Sequence, residues 1–312
     1  MLNRDKIGVI DLGTNTFNLL VAEKNPDTVF KKIFSKRIPV MLGERTMQSN
    51  LICESAFERG LNAMKEFSAI LKDTQVSEIR AIATSALRTS HNASEFVAKV
   101  HQLTGIEIKV ISGEEEAELI FRGNSAAANL TNDLSLIMDI GGGSTEFIVG
   151  SDKGIVWKKS FLLGAARLLD KFKPEDPISA DTISKMEIYF DAELIELFEV
   201  LKINSVRELI GSSGAFDSFV EMIDADFNSM KFDESCAVYE YDLIQFRVLS
   251  ERVIKSTLSD RLTMRGLIPM RVEMIVLSVI FTNYILKKTG IKKLRSTTWS
   301  LKEGAVLNWI SE

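Results

Sequence analysis

Asp139-Ile140-Gly141-Gly142-Gly143-Ser144-Thr145-Glu146 is the stretch on which the reading of this chain turns. The apolar run Leu134 to Ile140 precedes it, interrupted by Ser135 and Asp139, and Phe147-Ile148-Val149 follows. The pattern predicts two short strands joined by a glycine turn. Gly141, Gly142 and Gly143 weaken a strand, yet they let backbone N–H groups approach a ligand with no Cβ in the way. Such a nest suits anionic oxygens, and Ser144 and Thr145 add hydroxyls. Asp139 and Glu146 bracket the turn, where a hard cation can bridge them to phosphate oxygens. Taken alone, the octapeptide also reads as a polar-ended hairpin with no ligand.

The chain does nearly the same thing at its start. Ile7 to Ile10 is apolar and ends in Asp11, then come Leu12-Gly13-Thr14-Asn15-Thr16 and a second apolar run, Phe17 to Ala22, interrupted by Asn18. Asp-[Leu/Ile]-Gly followed by small hydroxyl residues therefore occurs twice, each time between strands, which points to a duplicated domain. Facing one another, two such hairpins would grip one polyphosphate chain with a metal between Asp11 and Asp139. In this the sequence resembles the actin, sugar-kinase and heat-shock-chaperone ATPase superfold. The resemblance implies an α/β protein of two ribonuclease-H-like domains, each a mixed sheet flanked by helices. The expected boundaries are residues 1–124 with a returning C-terminal helix, 299–312, and residues 125–298.

Length and composition agree with that organisation: 312 residues suit about two domains, and 46% hydrophobic with 26% charged is ordinary for a globular chain. Met1 to Lys6 is polar and shows no signal peptide. The longest apolar run, Val272 to Leu286, contains Glu273, Ser278 and Asn283 and reads as a buried helix, not a membrane span. Cys53 and Cys236 lack paired spacing, which fits a cytoplasmic protein without a zinc or disulfide framework. His91 and His101 read as surface groups, so any metal is expected on oxygen. A net charge of −5 argues against nucleic-acid binding. A phosphate-rich substrate then needs a local basic lining, for which Arg37, Arg45, Arg88, Arg122, Arg167, Arg271, Lys292, Lys293 and Arg295 are candidates, most of them readable as surface charges.

Taken in order, Thr28 to Ile38 reads as a third strand, Ser55 to Leu71 as a helix and Ile79 to Ala83 as a buried strand. The segment Thr84-Ser85-Ala86-Leu87-Arg88 follows that strand's carboxyl end, where open α/β sheets place ligands, so Arg88 can reach a crevice. Ser94 to Leu103 reads as a helix and Ile106 to Ile111 as a strand. Ser112 with Glu115 forms a capping box opening a helix to about Ala127, and Glu114 to Glu116 suit its dipole. The same dipole also favours an ionised carboxylate able to orient water. Gly154 to Phe161 is an expected strand, Ile178 to Leu201 mostly helix and Val206 to Ile210 a strand. Gly211-Ser212-Ser213-Gly214 then opens a helix, read either as a phosphate loop or as an ordinary helix start. Helices follow over Asp242 to Leu258, Pro269 to Lys288 and Leu301 to Ile310, with Lys293 to Thr297 a strand.

Six segments together, 11–17, 83–88, 111–117, 139–146, 211–214 and Leu-Lys-Glu-Gly-Ala at 301–305, resemble the exopolyphosphatase and guanosine pentaphosphate phosphohydrolase family, in order and across the whole chain. The resemblance implies a hydrolase dependent on Mg²⁺ or Mn²⁺ that removes the terminal phosphate of polyphosphate or guanosine pentaphosphate in an inter-domain cleft. It implies Glu116 as catalytic base, Arg88 as the phosphate-gripping arginine, and Asp139 and Glu146 as metal and water carboxylates, with Asp11 joining the metal set. Gly13, Thr14, Asn15, Thr16, Gly141, Gly142, Gly143, Ser144, Thr145, Gly211, Ser212, Ser213 and Gly214 are the expected phosphate contacts. Asn18 stands where many relatives carry a basic residue, Ala215-Phe216 replace small hydroxyl residues, and the chain stops soon after residue 305, without the C-terminal helical domain of longer members. The expected partners are the substrate and a second copy in a homodimer, with no nucleic acid and no membrane. A small-molecule kinase of the same superfold and a slow-turnover nucleotide sensor are the competing readings.

Overall fold

A computed structural model describes residues 5–26, 28–44, 50–227 and 236–312; Arg45 lies outside the described residues. The chain divides into two compact units, Met1–Gly123 with Leu301–Glu312, and Asn124–Ser300.

The first unit starts with β1 (Lys6–Leu12), β2 (Thr16–Lys24) and β3 (Phe30–Pro39), an antiparallel meander. Helix α1 (Glu54–Asp73) leads to β4 (Glu78–Ala83), which pairs parallel to β1. A single turn, α2 (Ser85–Thr89), and α3 (Ala93–Thr104) then lead to β5 (Ile108–Val110) and α4 (Gly113–Ala128). The strand order is β3-β2-β1-β4-β5. Alternation along β2 sends Phe17, Leu19 and Val21 to one face, where they pack with Met64, Phe67 and Leu71 of α1 and Phe96 of α3. Ala81 to Ala83 of β4 are buried, but Ile79 is exposed, so the strand is buried only towards its carboxyl end.

The second unit repeats the plan. β6 (Leu134–Ile140), β7 (Thr145–Ser151) and β8 (Gly154–Phe161) form a second meander. Helices α5 (Ala165–Phe172), α6 (Ala180–Glu193) and α7 (Ile195–Ile203) follow, then β9 (Val206–Ser212), parallel to β6. The rest is α8 (Ala215–Phe227), β10 (Val238–Glu240), α9 (Leu243–Lys255), α10 (Leu258–Thr263), a 3₁₀ turn at Pro269–Arg271, α11 (Ile275–Thr289) and β11 (Leu294–Thr297). The sheet order, β10-β11-β9-β6-β7-β8, is the first unit's order with one strand added at the edge. Phe281 of α11 stacks on Phe190 at 4.4 Å and meets the edge of Phe147 from β7, so this long apolar helix lies in the core. Among the described residues no helix is long and apolar enough to cross a membrane. The last helix, α12 (Leu301–Ser311), belongs to the first unit and packs on β1 and β2. Both sheets thus have the ribonuclease-H-like plan of a meander followed by parallel strands through helical crossovers.

Candidate active site

The two meanders turn in the same way. In hairpin 1, between β1 and β2, the N–H of Gly13 donates to the Thr16 carbonyl at 3.0 Å; in hairpin 2, between β6 and β7, that of Gly141 donates to Ser144 at 3.0 Å. Their tip carbonyls are drawn backwards. Gly43 N–H donates to Thr14 O, and Val40 and Met41 N–H to Asn15 O, at 2.8–2.9 Å. In hairpin 2 the start of α5 does this: Ala165 N–H reaches Gly141 O at 2.9 Å, while Ala166 and Arg167 N–H reach Gly142 O at 3.0 and 3.1 Å. Arg167 Nε holds Gly143 O at 2.9 Å. With those carbonyls occupied, the N–H groups of Gly142, Gly143 and Ser144 have no protein partner among the described residues, which is the electrostatic character of an anion nest. Burial lowers the Arg167 pKa, in keeping with a guanidinium built into the loop. Gly164 is required by close approach: a Cβ there would lie 2.4 Å from Gly142 C and O.

Below each tip runs a row of side chains on one sheet face. In the first unit Asp11 pairs with Asn18 and Asn18 with Arg37; Asn18 Nδ2 donates to Asp11 Oδ2 and Arg37 Nε to Asn18 Oδ1, both at 3.1 Å. The second unit's row is Asp139, Glu146 and Ser160. Ser160 Oγ donates to Glu146 Oε1 at 2.7 Å, and Ser300 Oγ to Asp139 Oδ2 at 2.6 Å. Two carboxylates directly opposite on an antiparallel ladder repel at about 5 Å. Glu146 is moreover 1% exposed. This is the donor set that a hard cation relieves: Mg²⁺ is commonly held by one or two carboxylates, with water and phosphate oxygens completing its shell. Asp139 and Glu146 fit it. Among the described residues no group of three or more His, Cys, Asp or Glu side chains forms an all-protein cage.

The second chemical centre lies where β4 ends and α4 begins. The capping box forms, with Ser112 N–H on Glu115 Oε2 at 2.9 Å and Glu115 N–H on Ser112 Oγ at 3.1 Å. The Lys109 ammonium, then the Ser112 N–H, lower the Glu115 carboxyl pKa to about 2. Glu114 is exposed. Glu116, one residue further round the turn, is 7% exposed and accepts from Arg88 Nη1 at 3.0 Å. The same Nη1 donates to Ile111 O at 3.0 Å. Arg88 Nε and Nη2, the side-on edge of the guanidinium, have no protein partner among the described residues. That edge is the geometry with which arginine grips two oxygens of one phosphate.

The remaining expected contacts divide. Thr145 is fully buried and its Oγ1 donates to Leu163 O at 3.0 Å, because alternation turns it away from the Glu146 face. Ser212 is also fully buried and accepts from Asn124 Nδ2 at 2.9 Å. The protein thus engages the hydroxyls of both of these expected phosphate contacts. Ser213 and Gly214 both have positive φ, 44° and 57°, and turn β9 into α8; Gly211 packs beneath the Phe216 ring. Ser213 Oγ donates to Asp217 at 3.2 Å. Of the basic candidates, Arg295 and Lys293 neutralise Glu208, at 2.5 and 3.2 Å, and Arg271 donates to Ser218 at 2.7 Å. Arg122 donates to Ser311 at 3.5 Å. Ser160 and Ser300 had no signal in the sequence; finding Ser160 required the β7/β8 register.

The profile of the Ppx/GppA phosphatase family matches residues 20–312. A crystal structure of an exopolyphosphatase from Cytophaga hutchinsonii is 36% identical and superposes with a TM-score of 0.95, covering 98% of each chain. Exopolyphosphatase 1 of Mycobacterium tuberculosis is 27% identical over 97% of this chain and 87% of its own length. A bifunctional 3-dehydroquinate synthase/phosphatase of Fusobacterium nucleatum is 32% identical over 90% of this chain, which spans only 43% of that longer protein. An Aquifex aeolicus Ppx/GppA family member, 20% identical with a TM-score of 0.82, shares the fold. With the paired glycine hairpins and the Arg88–Glu116 pair set beside these matches, the chain belongs to the Ppx/GppA phosphatase family, whose members are hydrolases of phosphoanhydride bonds.

Proposed function

We propose that this protein is a metal-dependent exopolyphosphatase that releases terminal orthophosphate from linear polyphosphate. The observation that carries the reading is the side-on edge of Arg88, without a partner among the described residues, beside a buried carboxylate. Phosphoryl transfer asks a protein mainly for positioning and charge stabilisation. In this reading the tip N–H groups of Gly142, Gly143 and Ser144 cradle phosphate oxygens, and Arg88 grips the terminal phosphate through Nε and Nη2. Glu116 orients the attacking water and takes its proton. The new P–O bond forms as the bridging P–O bond breaks, and the shortened chain leaves as an anion that needs no proton. Glu116 rests on Nη1 of the same guanidinium, so a phosphate taken by the Nε–Nη2 edge is held beside the base. Asp139 and Glu146 would hold Mg²⁺ or Mn²⁺, which would neutralise phosphate charge.

The test is to incubate the full chain with polyphosphate, guanosine pentaphosphate and ATP and to measure released orthophosphate. Release from polyphosphate is expected, abolished by EDTA, restored by Mg²⁺ or Mn²⁺ and unaffected by a zinc-selective chelator. Release from guanosine pentaphosphate would add that substrate. Tight binding of any of the three with negligible release would replace the enzyme by a sensor.

A further inference from the structure

Strand β3 forms one edge of the first sheet and carries Lys31, Lys32, Lys36 and Arg37 with no acidic residue, in a chain whose net charge is −5. Its pairing with β2 slips once. Asn18 lies opposite Arg37, Leu20 opposite Ser35 and Val21 opposite Phe34, but Ala22 lies opposite Lys32, so Ile33 is an inserted residue. Bulges re-aim side chains. Asn18, Leu20 and Ala22 share a face of β2 by alternation, and therefore Arg37, Ser35 and Lys32 share the matching face of β3. In an unbroken register Ile33 would occupy that face, and Lys32 would turn to the side where Phe34 and Ile38 pack on the core. The face that gains Lys32 is the one bearing Asp11, Asn18 and hairpin 1.

Helix α12 covers β1 and β2 on this face, as Lys24 Nζ lies 4.6 Å from the Trp309 ring, and leaves Lys32 and Arg37 exposed. At the other end of α12, Lys302 is only 16% exposed in its side chain and pairs with Glu303 at 3.1 Å. Burial works against its charge, but Glu303 outweighs burial and raises its pKa, while Arg37 and Asp11 also act on it. Lys302 stands moreover in a helix first turn, which disfavours positive charge. Lysines on an edge strand also keep copies of a sheet apart. That purpose is served by cations facing either way, and does not call for a bulge that lines Lys32 up with Arg37.

We propose that this face of β3, from Arg37 to Lys32, is a subsite for the distal phosphates of a long linear polyphosphate running away from hairpin 1. It rests on the exopolyphosphatase reading and adds a preference for chain length. Arg37 and Lys32 are separated by roughly 15 Å of strand. A long polyanion bridges both, whereas a short one held at hairpin 1 does not reach Lys32. Contacts of this kind release counterions, so they weaken as salt rises.

The experiment compares Lys32→Gln, at the end a short chain does not reach, with wild type on long-chain polyphosphate and on tripolyphosphate, at low and high salt, with Lys31→Gln as control. Lys31 lies on the opposite face, across from Glu23. Lys32→Gln is expected to lose about fivefold in kcat/KM on the long chain, about 1 kcal/mol, with a shallower salt dependence. On tripolyphosphate it stays within about twofold, and Lys31→Gln stays near wild type on both. Equal loss on both substrates, no loss on either, an equal effect of Lys31→Gln, or self-association as the sole change would each overturn the subsite. If wild type releases no phosphate at all, the exopolyphosphatase reading has failed. Displacement of labelled long-chain polyphosphate from wild type and Lys32→Gln then still decides the subsite.

Discussion

Arg88 offers two edges to two different tasks. One nitrogen, Nη1, ties α2 to the start of α4 through Ile111 O and Glu116, and the proposed function gives the Nε–Nη2 edge to the phosphate. Lysine can keep the charge and one bond but cannot do both, so Arg88→Lys is expected to lose on the order of a hundredfold in kcat/KM. Recovery to within about threefold would show that charge alone is used. The three neighbouring glutamates separate by environment: exposed at 114, in the capping box at 115, buried on Arg88 at 116. Glu116→Gln is expected to lower kcat by roughly two to four decades with KM unchanged or lower, because an anion facing another has been removed. Ser112→Ala should cost about 1 kcal/mol of stability and little activity. Glu115 has its pKa lowered from 4.5 to about 2, so the stabilisation it gives is present above about pH 4.5 and is lost as pH falls through about 2. A pH-melting series should show Glu115→Gln converging on wild type at the acid end. If Glu116→Gln and Glu115→Gln lower the melting temperature alike and leave kcat within about threefold, Glu116 is a cap residue only.

At the scale of elements, the two hairpins are the same device braced differently: hairpin 1 by the segment after β3, hairpin 2 by the N-terminus of α5. Their rows have diverged, with Asp11-Asn18-Arg37 mixed in charge and Asp139-Glu146-Ser160 acidic. A cation is therefore expected at hairpin 2, and phosphate oxygens at both. The brace at Gly164 makes this testable, since any Cβ there must push the Gly142–Gly143 peptide out of place. Gly164→Ala is expected to cost about 1–3 kcal/mol by overpacking and to reduce kcat/KM at least about tenfold, well beyond what partial unfolding explains at a temperature where the variant is folded. Stability lost with kinetics unchanged would show that the tip N–H groups are not used. The hairpins were readable in the sequence because glycine, Asp and strand alternation are local signals. The same alternation, applied strictly, would have turned Thr145 inward, away from Glu146. Ser212 could not be assigned that way, because its partner Asn124 is 88 residues distant.

Across the whole chain, the long periodic helices and both strand pairs at the hairpins were legible, and the short pieces were not. β10 has three residues and α10 six, too few to show a period, and α2 is a single turn whose purpose is to place Arg88. Nor could local pattern show that β3 slips at Ile33, or that Ser300 meets Asp139 across 161 positions. What the duplicated plan does to the chain as a whole is make the first unit discontinuous, closed by α12 after the second unit is complete. α12 reaches its place by close approach: a Cβ on Gly304 would lie 1.9 Å from Leu119 O of α4. Its neighbours Lys302 and Glu303 pair with one another at 3.1 Å in the first turn of the same helix, which packs on β1 and β2. Gly304→Val is expected to destabilise by at least about 1–3 kcal/mol, and to do so in the first unit. Hydrogen exchange should quicken in β1, β2 and β4 while β6, β7 and β9 keep their protection, because the substituted helix packs on the first sheet. Equal quickening in both sheets would show that the two units unfold as one and that α12 supports the whole chain.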